Sequence, residues 1–172
     1  MMMEALEAGG LEVIKSDRRD IVNNRNSDQY YKPNPNSLYE LTTKRMLQPG
    51  FPKQYNGKVL KILANQVCLL SVYEYSVVFM KRNSEEIRQS YEAAFSEKIS
   101  IERIEQAVEN AIAHFKNRRD INNLFIWNYR EVIENPLEHF QKLDWPINAE
   151  KSANIVDPKK LRFKLENLEV GI

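Results

Sequence analysis

Three short apolar segments, each followed by a helical pattern, constrain the fold of this chain most. They span residues 58–63, 76–82 and 124–129, and they combine apolar and β-branched residues with polar residues at their ends. Buried strands of a parallel sheet have this composition. Strands that alternate with helices predict a layered α/β fold, with a mostly parallel sheet and helices on both faces.

Helix-capping signals support the same alternation. Ser84 can cap a helix whose first turn holds Glu85 and Glu86, and Ser100 can cap a second helix with apolar residues at helical spacing up to Phe115. The remaining signals predict helices over 1–8 (stopped by Gly9 and Gly10), after Asn135-Pro136 and after Asp157-Pro158, and a short strand over 11–14.

The segment 15–56 is rich in Asn, Pro and charged residues, so it is expected to be an irregular insert or flap, with one helix around 37–43. Its charged residues could reach a ligand, although a solvated charge run explains them equally well. At 172 residues the chain is predicted to form a single domain over 1–172.

Composition excludes several classes of function. A net charge of +1 gives no global field to attract nucleic acid or an anionic membrane, and no apolar run approaches a membrane span. Two histidines and one cysteine are too few, and too poorly spaced, for a metal site. The single Cys68 is predicted to be a buried thiol in a reducing, cytoplasmic protein, and His114 and His139 are predicted to be structural.

Arg82 and Ser90 form the candidate binding site. Ligands of open α/β sheets sit beyond the carboxyl ends of the strands, where Arg82 ends one predicted strand. Ser90 follows on the apolar face of the next helix, so a guanidinium and a hydroxyl could hold a phosphate beside a helix N-terminus. In the alternative, Arg82 pairs with Glu85 or Glu86, and Ser90 bonds back to the Glu86 carbonyl.

The sequence FMKRNSEEIRQSY resembles the segment of cytosolic and bacterial sulfotransferases that holds the 3'-phosphate of the sulfate donor. Arg82, Asn83, Ser90 and Tyr91 stand in register with that motif. Three other stretches are similar to the family: MMMEALEAGG to the helix after its phosphate loop, WNYREVIENP to a strand and acidic turn, and IVDPKKLR to its C-terminal end.

The resemblance implies a phosphate-loop-NTPase-like sulfotransferase fold and 3'-phosphoadenosine 5'-phosphosulfate as co-substrate, without a metal. Arg82 and Ser90 would hold the 3'-phosphate, with Asn83 shaping the turn. Arg162 would approach the nucleotide, or else serve packing or a salt bridge. The acceptor would be a hydroxyl or amine of a small molecule or glycan, and the residues do not identify a catalytic base.

The chain departs from this family at its start, because Met1 falls within the helix that should follow the first strand and the Gly-rich phosphate loop. Without that strand the sheet would have open edges, which a second copy or another partner would cover. Either the true start lies upstream, or this is a shortened, inactive relative. The alternatives in function are a non-catalytic nucleotide-binding or assembly module and a fragment of a phosphate-loop kinase.

Overall fold

The computed structural model describes residues 1–15, 41 and 43–158, and for residues 93–95 it describes the backbone alone. Within those ranges the helices are α1 (Met2–Ala8), α2 (Thr43–Met46), α3 (Ser84–Phe95), α4 (Ile101–Lys116), α5 (Tyr129–Glu134), α6 (Pro136–Gln141) and α7 (Ala149–Asn154), the 3₁₀ helices are Lys53–Tyr55 and Ala64–Leu69, and the strands are β1 (Tyr75–Lys81) and β2 (Ile121–Asn128).

The two strands pair in parallel, with Val77 opposite Leu124 and Lys81 opposite Asn128. Helices α3 and α4 lie between them in the chain, as a parallel connection requires. The prediction of an α/β protein with a parallel sheet is therefore confirmed. Asn83 caps α3 by accepting hydrogen bonds from the amides of Glu85 and Glu86, so this helix is capped one residue earlier than predicted.

Helices cover both faces of this small sheet. On one face Val77 and Phe79 pack with Phe115 of α4. On the other face Met80 and Trp127 pack with a second buried cluster, whose members from outside the sheet are Ala5, Leu6, Val132, Phe140 and Leu143. Alternate residues of each strand thus pack on opposite faces of the sheet. Because both faces are covered, both strands are nearly continuous apolar runs in the sequence.

Helix α1 packs against α7 through a close backbone approach at Gly9. The carbonyl of Gly9 accepts a hydrogen bond from the Asn148 amide at 2.9 Å. A Cβ atom at Gly9 would lie 2.2 Å from Ser152 Oγ and 2.4 Å from Ile147 Cγ1. Gly9 has an ordinary helical φ of −70°, whereas Gly10 has a φ of +104°. Gly10 alone therefore supplies the left-handed stop that was predicted for both glycines.

Two predicted strands are wrong. The segments 11–14 and 58–63 meet in one isolated parallel bridge, between Val13 and Val59, rather than in a regular ladder. Only the amides of Ile14 and Val59 bond across this pair, to the carbonyls of Val59 and Glu12. Apolar composition favours burial, but a strand also needs a neighbour that matches it along its length, and composition does not reveal that.

Cys68 is exposed, so the prediction of a buried thiol is also wrong. The apolar stretch around it forms the 3₁₀ helix Ala64–Leu69, in which Val67 is the residue that turns inward. Of the segment 15–56, residues 16–40 and 42 lie outside the described residues. The helix predicted around 37–43 therefore falls mostly outside the described residues; within them Leu41 is not helical, and α2 begins at Thr43. From residue 159 onward, the predicted C-terminal helix also lies outside the described residues.

The side chains of Arg118 and Asp120 form a group of hydrogen bonds at the amino end of the sheet. Arg118 Nε donates to Asp120 Oδ1 at 2.8 Å, and its two terminal nitrogens donate to the carbonyls of Leu70 and Ser71, each at 2.8 Å. Asp120 also accepts a hydrogen bond from the Tyr73 amide at 2.8 Å. The hydrogen bond from Arg118 and that from Tyr73 hold the pKa of Asp120 far below its usual value of 3.8.

We expect Gly9→Ala to lower the free energy of unfolding by about 1–3 kcal/mol, because the new methyl group overlaps Ser152 and Ile147. Urea denaturation would measure the loss. Ile147→Ala provides the control, because it should cost less in the Gly9→Ala protein than in the wild type if the overlap is the cause. Costs that simply add would contradict this explanation.

The lowered pKa of Asp120 predicts acid sensitivity. A carboxyl group whose folded pKa is depressed contributes stability that is complete above its unfolded pKa and is lost as the pH falls through the folded value. Wild-type stability should therefore fall progressively below about pH 5, and Asp120→Asn should show a shallower fall. The measurement is the thermal midpoint between about pH 3 and 7. Asp144→Asn, at an exposed aspartate, should keep the wild-type slope.

Candidate anion-binding cleft

A cleft of about 370 Å³ opens at the carboxyl ends of both strands. Residues that end β1 and begin α3 line one side, and residues that end β2 and begin α5 line the other. They are Lys81, Arg82, Asn83, Ser84, Asn128, Tyr129 and Arg130. This is the edge at which open α/β sheets bind their ligands.

The buried carboxylate of Glu86 joins the two sides of the cleft. Arg82 Nε donates to Glu86 Oε2 at 2.9 Å, and Arg130 Nη2 donates to Glu86 Oε1 at 2.6 Å. Arg130 Nε adds a third bond, at 3.2 Å to the same Oε1. The Glu86 side chain is only 1% exposed, against 23% for Arg82 and 36% for Arg130. Each guanidinium therefore reaches solvent at the cleft while its inner edge is fixed.

Two opposing effects set the pKa of Glu86. Burial alone would raise it, but the hydrogen bonds from Arg130 and Arg82 outweigh burial, so the pKa lies below its usual value and the group is ionised. Tyr129 lies under the guanidinium of Arg82, which is 5.4 Å from the centre of its ring. Burial is the main cause of the raised pKa of the Tyr129 hydroxyl, so this ring remains neutral.

Two asparagines present hydrogen-bond donors to the cleft. Asn83 Oδ1 caps α3, and Asn128 Oδ1 accepts from the Arg130 amide at 2.9 Å. Because each oxygen is used in capping, each side-chain NH₂ group is left as the polar end that can meet a ligand. Neither NH₂ group bonds to any part of the protein that the structure describes.

The charges of the cleft favour an anion. Lys81, Arg82 and Arg130 line it, and no acidic side chain is among the described lining residues. Glu86 beneath them balances one of these three positive charges. Positively charged side chains therefore outnumber acidic ones among the described residues that line the cleft.

Of the residues predicted to form the site, Arg82 and Asn83 line the cleft. Ser90 lies on α3 and is not among the described lining residues, and its side-chain hydroxyl makes no hydrogen bond within the described chain, including to the Glu86 carbonyl. The alternative prediction that Arg82 pairs with Glu86 is confirmed. Tyr91 donates to Glu97 at 3.2 Å, and Arg162 lies outside the described residues.

Sequence reasoning missed Arg130 and its pairing with Glu86. Arg130 lies two residues beyond β2, much as Arg82 follows β1, and the ends of paired parallel strands meet at one edge. This similarity in position was the signal in the sequence that could have identified Arg130. Tyr129 is only partly buried and forms one wall of the cleft.

The two histidines have structural surroundings. His139 is buried, its Nδ1 lies 2.9 Å from the Asn135 carbonyl, and its ring meets Trp127 edge to face at 5.2 Å. His114 lies on α4 with Nε2 3.4 Å from Arg118. Over the described ranges, no group of three or more His, Cys, Asp or Glu is placed to hold a metal ion. In the same ranges, no helix has both the length and the apolar character to cross a bilayer.

Comparison with protein-family models, curated proteins and solved structures gives no match for this chain.

We expect Glu86→Gln to lower the free energy of unfolding by about 1–3 kcal/mol, because two guanidiniums would lose a charged acceptor and only one amide oxygen would replace it. Chemical denaturation would measure this. Glu85→Gln is the matched control, since Glu85 lies next to Glu86 and pairs with Arg88 near the surface. The control should change the midpoint little. Equal effects of the two substitutions would contradict a special role for Glu86.

Proposed function

We propose that this chain is a sulfotransferase-type α/β protein whose cleft holds a phosphate group of 3'-phosphoadenosine 5'-phosphosulfate. The observation that carries the proposal is the position of Arg82. It follows the last residue of β1, lines a cationic cleft and precedes the asparagine that caps α3. The protein would transfer a sulfuryl group to a hydroxyl or amine of a small molecule or glycan.

The structure around Arg82 supports phosphate binding. The cleft lies at the carboxyl edge of a parallel pair of strands and at the start of the twelve-residue helix α3. Lys81, Asn83 and Arg130 line the cleft together with Arg82, and a guanidinium can form bidentate bonds to a phosphate. Tyr129 adds an apolar wall beside these donors.

In sulfuryl transfer these residues would bind and orient the donor and stabilise the negative charge of the leaving nucleotide. Ser90 and Arg162 keep the roles in donor binding that the resemblance implies. Removing a proton from the acceptor requires a base within hydrogen-bond reach.

A second candidate function is a non-catalytic nucleotide-binding or assembly module. One observation favours it: no Asp, Glu or His is among the described residues that line the cleft.

Binding of 3',5'-bisphosphoadenosine should raise the thermal midpoint by about 5–10 °C at a concentration near 100 times Kd. Arg82→Ala should abolish most of this shift, because it removes the guanidinium at the mouth of β1. Arg88→Ala is the matched control: Arg88 also lies on α3 but pairs with Glu85 and Glu92, away from the cleft, and its loss should leave the shift unchanged.

If 3',5'-bisphosphoadenosine does not shift the thermal midpoint of the wild type, the assignment of 3'-phosphoadenosine 5'-phosphosulfate as the donor is wrong. A shift without sulfuryl transfer to any of a panel of phenols and amines would favour the non-catalytic module.

A further inference from the structure

Two asparagines occupy similar positions at the ends of the paired strands. Asn128 is the last residue of β2 and the register partner of Lys81, and Asn83 follows Lys81 by two residues. Neighbouring strands lie about 4.8 Å apart, so the two side chains start close together at one edge of the sheet. Both asparagines line the cleft, and a ligand in the cleft therefore lies beside both of them.

Helix capping fixes how each carboxamide group is turned. Asn83 Oδ1 accepts hydrogen bonds from the amides of Glu85 and Glu86 at 2.9 and 3.3 Å. Asn128 Oδ1 accepts one from the Arg130 amide at 2.9 Å. Because a backbone amide can only donate, the oxygen and not the NH₂ group must face it. A carboxamide turned the other way would lose the cap, so each asparagine offers only donors on its remaining side.

These donors are unused within the part of the chain that the structure describes, where neither NH₂ group makes a hydrogen bond. We infer that Asn83 and Asn128 are a pair of ligand-binding residues, whose NH₂ groups donate to the nonbridging oxygens of a phosphate group in the cleft. A phosphate oxygen suits them because it accepts hydrogen bonds, whereas an ammonium group only donates and would find no acceptor on either side chain.

This inference rests on the proposed function, since it uses the same phosphate site, and it adds two uncharged binding residues to that site. The capping bonds have already ordered both carboxamides in the folded protein. Ordering a free side chain on binding has an entropic cost, and these two residues meet most of that cost in folding.

Asn83→Ser and Asn128→Ser test the two NH₂ groups separately from the caps, because a serine hydroxyl caps a helix about as well as asparagine does. The probe is inorganic phosphate, titrated into the full chain and followed by NMR. Each variant should bind phosphate about tenfold more weakly than the wild type, the loss expected for a hydrogen bond to a charged group. The thermal midpoint without phosphate should stay within about 3 °C of the wild type.

Asn148→Ser is the matched control. Asn148 Oδ1 caps α7 by accepting from the Lys151 amide at 2.9 Å, but Asn148 is not among the described residues that line the cleft. This variant should bind phosphate as the wild type does. Wild-type affinity in either Asn83→Ser or Asn128→Ser, or an equal loss in Asn148→Ser, would overturn the inference.

A second variant at the same position guards against a serine hydroxyl that donates in place of the lost NH₂ group. Asn128→Asp also keeps the cap, but its ionised carboxylate has no donor. It should therefore bind phosphate more weakly than Asn128→Ser. An aspartate variant that binds phosphate as tightly as the wild type would contradict a donor role for Asn128.

The same titrations with 3',5'-bisphosphoadenosine separate this inference from the proposed function. If both serine variants weaken phosphate binding while the wild type binds the bisphosphate no more tightly than phosphate, the asparagine pair stands and the donor assignment fails. If both variants bind phosphate and the bisphosphate as the wild type does, and Arg82→Ala does not, the asparagine pair fails and the donor assignment stands. A wild type that binds neither probe would overturn both.

Discussion

The carboxylate of Glu86 is the interaction on which the rest of the candidate site depends. It is buried on the first turns of α3, and it accepts hydrogen bonds from arginines that follow two different strands. A buried carboxylate without partners would cost several kcal/mol, so folding must bring both strand ends together around it. The same bonds that satisfy Glu86 give the cleft its two oriented guanidiniums, and local stability and ligand recognition therefore share one set of contacts.

Much of the fold could be predicted because its signals are local. A capping residue and an apolar face are enough to define α4, and the apolar runs of β1 and β2 are enough to define buried strands. The strands predicted at 11–14 and 58–63 failed because strand pairing depends on a neighbour, and composition does not specify one. Helix α7 was missed because its six residues, AEKSAN, carry a cap at Asn148 but no apolar period.

The candidate site was predictable in part for a similar reason. Arg82 and Asn83 stand at the junction of a strand and a helix, and that position marks them in the sequence. Glu86 was interpreted as a favourable charge near a helix N-terminus or, in the alternative, as a partner of Arg82. Its second partner, Arg130, lies 44 residues further along the chain. No short-range pattern contains such a pair, so only the fold reveals it.

The three positively charged side chains that line the cleft also have an evolutionary consequence. Like charges held close together repel one another, so the unliganded protein is less stable than it would be with a neutral residue in place of Lys81. Selection for stability alone would keep Arg130, which satisfies the buried Glu86, but would not keep Lys81, and selection for binding would retain both. In the cleft, ligand binding and folding stability therefore make opposite demands on the sequence. Once binding is no longer needed, substitutions that stabilise the unliganded protein should accumulate there.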